Sequence, residues 1–313
     1  MRICILVLLI FFSFKISYSQ GCSDAGLCTI DMNHSDTKSS LNYNYSVGLG
    51  LGEQSTLINT YKMSLFYSPI DNVTIFTSLP FSVISGGITN TNGVGDIDFG
   101  LQYSLIIDED NSLKYSMSLK TSIDREAKHL VFPSGIADPL PMVYHPSLGN
   151  DNFIVVVDYQ YQKYTISAGA LIPLSQPNNN KFVANSDLEV KTTPLIFDEY
   201  LTSAGLERTS DLMLRVIREL YQTKDITFSA GINPIFRTGN NKVSFQENGI
   251  DKILEIEKSG GLTLNLLADV NYKFSSTNTL SFSIGVPVIT RTNQNDGLLR
   301  FFQSQISLTG SIF

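Results

Sequence analysis

From Leu41 onward, apolar and polar residues alternate with a period of two over most of the chain. That period puts successive side chains on opposite faces of an extended strand. The clearest run is Gly261 to Val288. Its first arm sets Leu262, Leu264, Leu266, Ala268, Val270, Tyr272 and Phe274 against Thr263, Asn265, Asp269, Asn271 and Lys273, with Leu267 the exception. After the Ser-Ser-Thr-Asn link, Leu280, Phe282, Ile284, Val286 and Val288 alternate with Ser281, Ser283 and Gly285. Each arm is longer than the roughly 5–6 residues usual in a soluble domain and suits the roughly 9–11 tilted residues that cross a bilayer.

The same pattern predicts about twelve strands, near 41–51, 57–67, 73–83, 96–107, 113–124, 153–161, 166–172, 209–223, 226–233, 261–274, 280–288 and 302–313. The eighth has a helical alternative: Asp211 could cap a helix with Met213, Ile217, Leu220 and Tyr221 on one side. The strand reading, with Leu212, Leu214 and Val216 outward and Arg215 and Glu219 inward, fits the tight Thr223–Asp225 turn that follows. Links after even-numbered strands are short: 68–72, 108–112, 162–163, 223–225 and 275–278. Links after odd-numbered strands are long, the one at Gly52–Thr56 excepted. The Gly/Asn-rich 85–93, the Pro-rich 125–150, and the stretches 175–207 and 238–259 read as connections. A soluble sandwich has no reason to sort its loops this way, whereas outer-membrane barrels have short periplasmic turns and long extracellular loops. The predicted fold is therefore all-β, a transmembrane antiparallel β-barrel of about twelve strands spanning 41–313.

Composition agrees. Charged residues make up only 16% of the chain against 42% hydrophobic, and the 14 Tyr and 19 Phe can supply interfacial girdles although Trp is absent. Residues 1–19 read as a signal peptide: Arg2, an apolar run from Ile3 to Phe14, and Ser17-Tyr18-Ser19 before the cleavage point. Residues 20–40 are polar and aperiodic, and read as a periplasmic tail. Loss of Arg2 and Lys15 with the leader takes the formal net charge from −7 to −9, an acidic balance that argues against nucleic acid as a partner. Cys22 and Cys28, close together in an oxidising compartment, suggest a local disulfide; a lipid anchor at Cys22 is the rival, and two thiols alone make a poor metal site. The terminal Phe313 resembles the aromatic residue by which many barrels meet the assembly machinery, although the apolar positions upstream are out of phase with it.

Three stretches carry a family resemblance: GVGDIDFGLQYSLI (93–106), SLGNDNFIVVVDYQYQ (147–162) with the YTISAGALIPL that follows, and the QGCSDAGLC of the predicted mature start. They resemble the outer-membrane barrel family associated with phenol meta-cleavage pathways, and the last is similar to Bacteroidetes members of that group. The resemblance implies a barrel in the outer membrane of a Gram-negative bacterium, surrounded by lipid and concerned with passage of a small molecule. It does not transfer a solute.

The polar strand faces should line the lumen. On them lie Lys62, Asp96, Asp98, Lys114, Lys120, Asp124, Asp158, Arg215, Glu219, Arg237, Asp269 and Lys273. Charges of both signs on an enclosed face either line a selective aqueous constriction or pair across the lumen and fill it, and twelve strands lie between filled and open barrels. Asp96 and Asp98, two apart and preceded by Gly93 and Gly95, are the first candidates for facing a solute; the bland alternative is ordinary strand-start carboxylates. The expected function is a narrow channel for a small solute, hydrophobic or aromatic solutes included. The alternatives are a closed structural or partner-binding barrel, and an esterase built on His145 and Ser147. Pro146 between those two disfavours the last. No phosphate loop, metal-spaced histidines or nucleophile elbow is present, so no enzyme activity or cofactor is expected.

Overall fold

The computed structural model describes residues 40–108, 111–132, 137–189, 195–296 and 300–312. The predicted signal peptide, the tail with Cys22 and Cys28, and Phe313 lie outside them. In chain order the strands are β1 (Ser40–Gly52), β2 (Leu57–Ile70), β3 (Val73–Ser85), β4 (Asn90–Val94), β5 (Ile97–Ile106), β6 (Asn111–Thr121), β7 (His129–Val131), β8 (Ala137–Pro139), β9 (Asn152–Tyr161), β10 (Tyr164–Pro173), β11 (Asp211–Gln222), β12 (Ile226–Arg237), β13 (Asn241–Glu247), β14 (Ile250–Ile256), β15 (Gly261–Lys273), β16 (Asn278–Ile289) and β17 (Arg300–Ser311).

Twelve of these close a barrel in the order β1-β2-β3-β5-β6-β9-β10-β11-β12-β15-β16-β17, every neighbour antiparallel and β17 pairing back onto β1. Closure leaves no free edge, which is what a sheet in lipid requires. The outward face is apolar on every wall, for example Val47, Met63, Leu101, Leu214, Leu266 and Phe282, all exposed. Toward the short-turn rim it becomes a tyrosine girdle that includes Tyr67, Tyr103, Tyr115, Tyr161, Tyr164 and Tyr272, the usual interfacial residue. Asp211–Gln222 is the strand β11, with Leu212 and Leu214 outward and Arg215 buried inside. A bulge between Glu219 and Tyr221 leaves both Leu220 and Tyr221 exposed at the short-turn rim.

The loop segregation is as the pattern predicts: the β2–β3, β5–β6, β9–β10, β11–β12 and β15–β16 links share one rim. The opposite rim carries more structure than alternation alone revealed. Residues 90–94, within a stretch that reads as loop, form β4 and pair with the far end of β3. The hairpins β7–β8 and β13–β14 fold within the connections 122–151 and 238–260.

β4 and β5 are two halves of one wall strand, broken at Gly95-Asp96. Ser78 pairs with Asp98 and Phe81 with Val94, so two residues of β3 face three of the partner. This extra residue is a β-bulge, and a bulge changes which way the following side chains point. Val94 lies opposite the outward Phe81, so uninterrupted alternation would send Asp96 and Asp98 outward into lipid. The bulge turns both inward.

Candidate functional site

The lumen divides into two halves. At the short-turn rim a polar vestibule of about 390 Å³ is lined by Lys114, Asp158, Arg215, Glu219, Asp269 and Lys273, among others, and by the turn residues Lys163 and Thr223–Asp225. Four neighbouring strands set one row of it: Lys114 lies opposite Asp158, Asp158 opposite Ser167, and Ser167 opposite Arg215. Arg215 Nη2 stands 3.5 Å from Asp158 Oδ1 and donates to Ser167 Oγ at 3.2 Å. A second space of about 160 Å³ shares Arg215, Asp269 and Asn271 with the vestibule and extends along β1, β2, β16 and β17 to Lys62 and Gln305.

Farther from that rim lies a third space of about 110 Å³, sharing Lys62, Gln303 and Gln305 with the second. Its walls carry Lys62, Asp96, Asp98 and Lys120, and its roof is the loop segment Met142–Leu148. Lys120 Nζ approaches Asp96 Oδ2 at 3.7 Å. Ser147 Oγ from the roof donates to Asp96 Oδ1 at 2.5 Å. The close approach that Gly93 and Gly95 permit is to this roof: a Cβ at Gly93 would lie 3.1 Å from the Pro146 ring, and one at Gly95 3.0 Å from the Pro146 carbonyl.

The rest of the long-loop half is filled. Ile154, Val156, Leu171, Met213 and Ile235 form a buried apolar cluster inside β9–β12. Above it the long connections make a core of their own. Leu140, Val143 and Tyr144 from one pack with Phe182, Ala184, Phe197 and Tyr200 from the other, and both pack on Ile58 and Ile84 of the inner wall. The Asn-rich run 178–180 ties these segments by imitating backbone. Asn178 Oδ1 accepts from Leu206 N at 2.9 Å while its Nδ2 donates to Leu148 O; Asn180 Oδ1 accepts from Phe182 N at 2.7 Å.

A buried ion cluster anchors the loops to the barrel. Arg237, at the end of β12, donates to Asp211 at 2.8 Å and to Asp296 at 2.6 Å. Arg208 pairs with the same two aspartates at 3.1 and 3.4 Å, and Arg291 lies 3.9 Å from Asp296. Burial, and then the neighbouring Arg237 charge, draw Arg291 down to about 10. Taking several charges out of water is costly unless each is paired and hydrogen-bonded, and here Asn241 and Asn295 add further bonds.

Eleven of the twelve sequence-predicted charges face the barrel interior, Arg237 among them but bound in the ion cluster. Asp124 is the exception in lying beyond its strand, so its expected place on the wall is corrected: its carboxylate sits against Gly93 beside Pro146 of the roof. Pairing of β6 ends at Thr121, and Arg125 turns the chain by binding Ser122 O and Asp151. Asp124 therefore sits in the loop, paired with Lys128 at 2.5 Å; the period of two simply ran on beyond the last ladder bond. Asp96 also lies just outside β5, in the bulge. Arg208, Asp211, Arg291 and Asp296 escaped the sequence reading because three of them lie in aperiodic loops and Asp211 begins a strand.

His145 and Ser147 do not form a nucleophile–base pair. His145 Nε2 lies 2.9 Å from Asn180 Nδ2 and 3.2 Å from Leu140 O, whereas Ser147 Oγ bonds Asp96 and Ser122. Burial pushes the imidazole down to about 4, which keeps the ring neutral in the roof.

Neither a protein-family model nor a curated protein matches the chain. Among solved structures it is similar to an outer membrane channel from Pseudomonas putida F1, at a TM-score of 0.59 and 14% identity over 90% of this chain and 98% of that one. It also aligns with the translocator domain of autotransporter NalP from Neisseria meningitidis, at 0.48 and 10% identity over 91% and 90% of the two chains. The alignment with the CymD monoaromatic hydrocarbon channel gives 0.47 and 9% over 96% and 95%. The chain has the fold of the outer-membrane β-barrels.

Proposed function

We propose that the chain is an outer-membrane channel for small polar solutes, with its short turns in the periplasm and its loop-filled end facing outward. The observation that carries this reading is the run of polar spaces from the short-turn rim to the roofed basin of Lys62, Asp96, Asp98 and Lys120. Hydroxyls, amides and charges of both signs favour hydrated or charged solutes within the range of small solutes expected from the sequence, which included hydrophobic ones. An aromatic solute is the competing class. It draws on the sequence resemblance to the phenol meta-cleavage barrels and on the apolar roof side chains Met142, Val143 and Leu148. The second reading, a closed barrel that presents its loops to a partner, draws on the dry core over the outer end. Purified protein in a planar bilayer should give discrete conductance steps whose ion selectivity shifts on Asp98→Asn. A folded barrel that stays silent at every potential would sink the channel and leave the closed barrel.

A further inference from the structure

The basin beneath the loop roof is lined by two ammonium groups and three carboxylates; Asp296 is held by Arg237 and Arg208 in the ion cluster, and the other four charges are not paired off evenly. Lys120 approaches Asp96, and Asp96 is further satisfied by Ser147. Lys62 has no hydrogen bond or ion pair among the described residues. Asp98 lies opposite Lys120 on β6 and beside Ser118, but its Oδ1 is buried and accepts no hydrogen bond. Lys62 and Asp98 line the same space, yet they make no ion pair with each other within 4 Å. Opposite charges held apart away from bulk water are unfavourable unless something bridges them. A solute carrying one charge would satisfy one group and leave the other exposed; a solute carrying both would satisfy both. At about 110 Å³ the space is below the roughly 150 Å³ that admits benzene, which excludes sugars and larger aromatics. Opposite the charges, Met142, Val143 and Leu148 offer an apolar surface for a short side chain.

Building on the channel reading, we propose that this basin binds a small zwitterion of the α-amino-acid class. Its carboxylate would lie toward Lys62 and its ammonium toward Asp98, with any side chain under the roof. The test is titration calorimetry on the full-length barrel in detergent, with L-alanine as probe and propionate and isopropylamine as size-matched ions of single charge. Alanine should bind at least about tenfold tighter than either, the loss expected when one charged hydrogen bond goes unmade. In Asp98→Asn the preference should pass to propionate, and in Lys62→Met to isopropylamine, each variant first shown folded by heat-modifiable gel migration. Equal affinity of the wild type for all three probes would overturn the proposal, as would an alanine preference that survives both substitutions. Conductance without alanine binding defeats this inference alone, and binding without conductance defeats the channel reading while leaving the site.

Discussion

The two halves of the lumen are built from the same strands with the same alternation, yet one is an open vestibule and the other, apart from the roofed basin, is packed. In the short-turn half the inward residues are Lys114, Asp158, Arg215, Asp269 and their Ser, Thr and Asn neighbours, around a space of about 390 Å³. In the long-loop half the same strands turn in Ile154, Val156, Leu171, Met213 and Ile235, and connections of more than twenty residues fold down onto them. Turns this short have nothing to insert, whereas long loops can bury apolar side chains only against each other and the inner wall. Loop length at each rim therefore decides which half can be open. A twelve-stranded barrel is narrow enough for loops to close it and wide enough that side chains alone do not.

The largest effect should come from Asp296→Ala, which leaves Arg237, Arg208 and Arg291 short of a carboxylate in a buried cluster. Breaking a buried pair costs about 3–5 kcal/mol. The loops should become protease-sensitive and bilayer conductance should rise, while the barrel keeps its heat-modifiable band. Phe182→Ala removes a fully buried ring from the loop core. It should destabilise the closed half by about 3 kcal/mol, read as a lower urea concentration for loop proteolysis, with little change in vestibule selectivity. If instead the strands unfold together with the loops, the division into two halves is wrong.

Arg215→Ala acts in the open half. It should scarcely alter loop proteolysis but should move the reversal potential in a salt gradient toward cation preference, because one positive charge is lost from a wall it shares with Asp158 and Asp269. The smallest effect is on pH. Burial holds His145 at about 4 against 6.5 for a free imidazole, so a released loop binds the proton more readily than a closed one. The stability that neutral His145 contributes is complete above about pH 6.5 and declines as the pH falls toward 4. Loop proteolysis should accelerate across that window, and His145→Asn should flatten the dependence.

Alternation was enough to read the barrel walls, because a period of two survives wherever one face meets lipid and the other water. It separated Leu262, Leu266 and Val270 from Asn265 and Asp269, and it placed Arg215 inside where a helix would have scattered its neighbours. The same rule misled at Asp124, since a pattern in phase does not reveal where pairing stops. It also could not show that an extra residue between Val94 and Asp98 is needed to bring both aspartates inward.

Strand faces, closure and the sorting of loops are local matters, encoded in the order of apolar and polar residues and in turn chemistry. The closed outer half is not local. Leu140 and Phe182, or Arg208 and Asp296, lie tens of residues apart in stretches with no period, and nothing in either stretch names its partner. Their contacts exist only once the barrel has brought the loop ends to one rim. Which charges line the lumen and which are locked in the ion cluster is therefore a property of the folded chain.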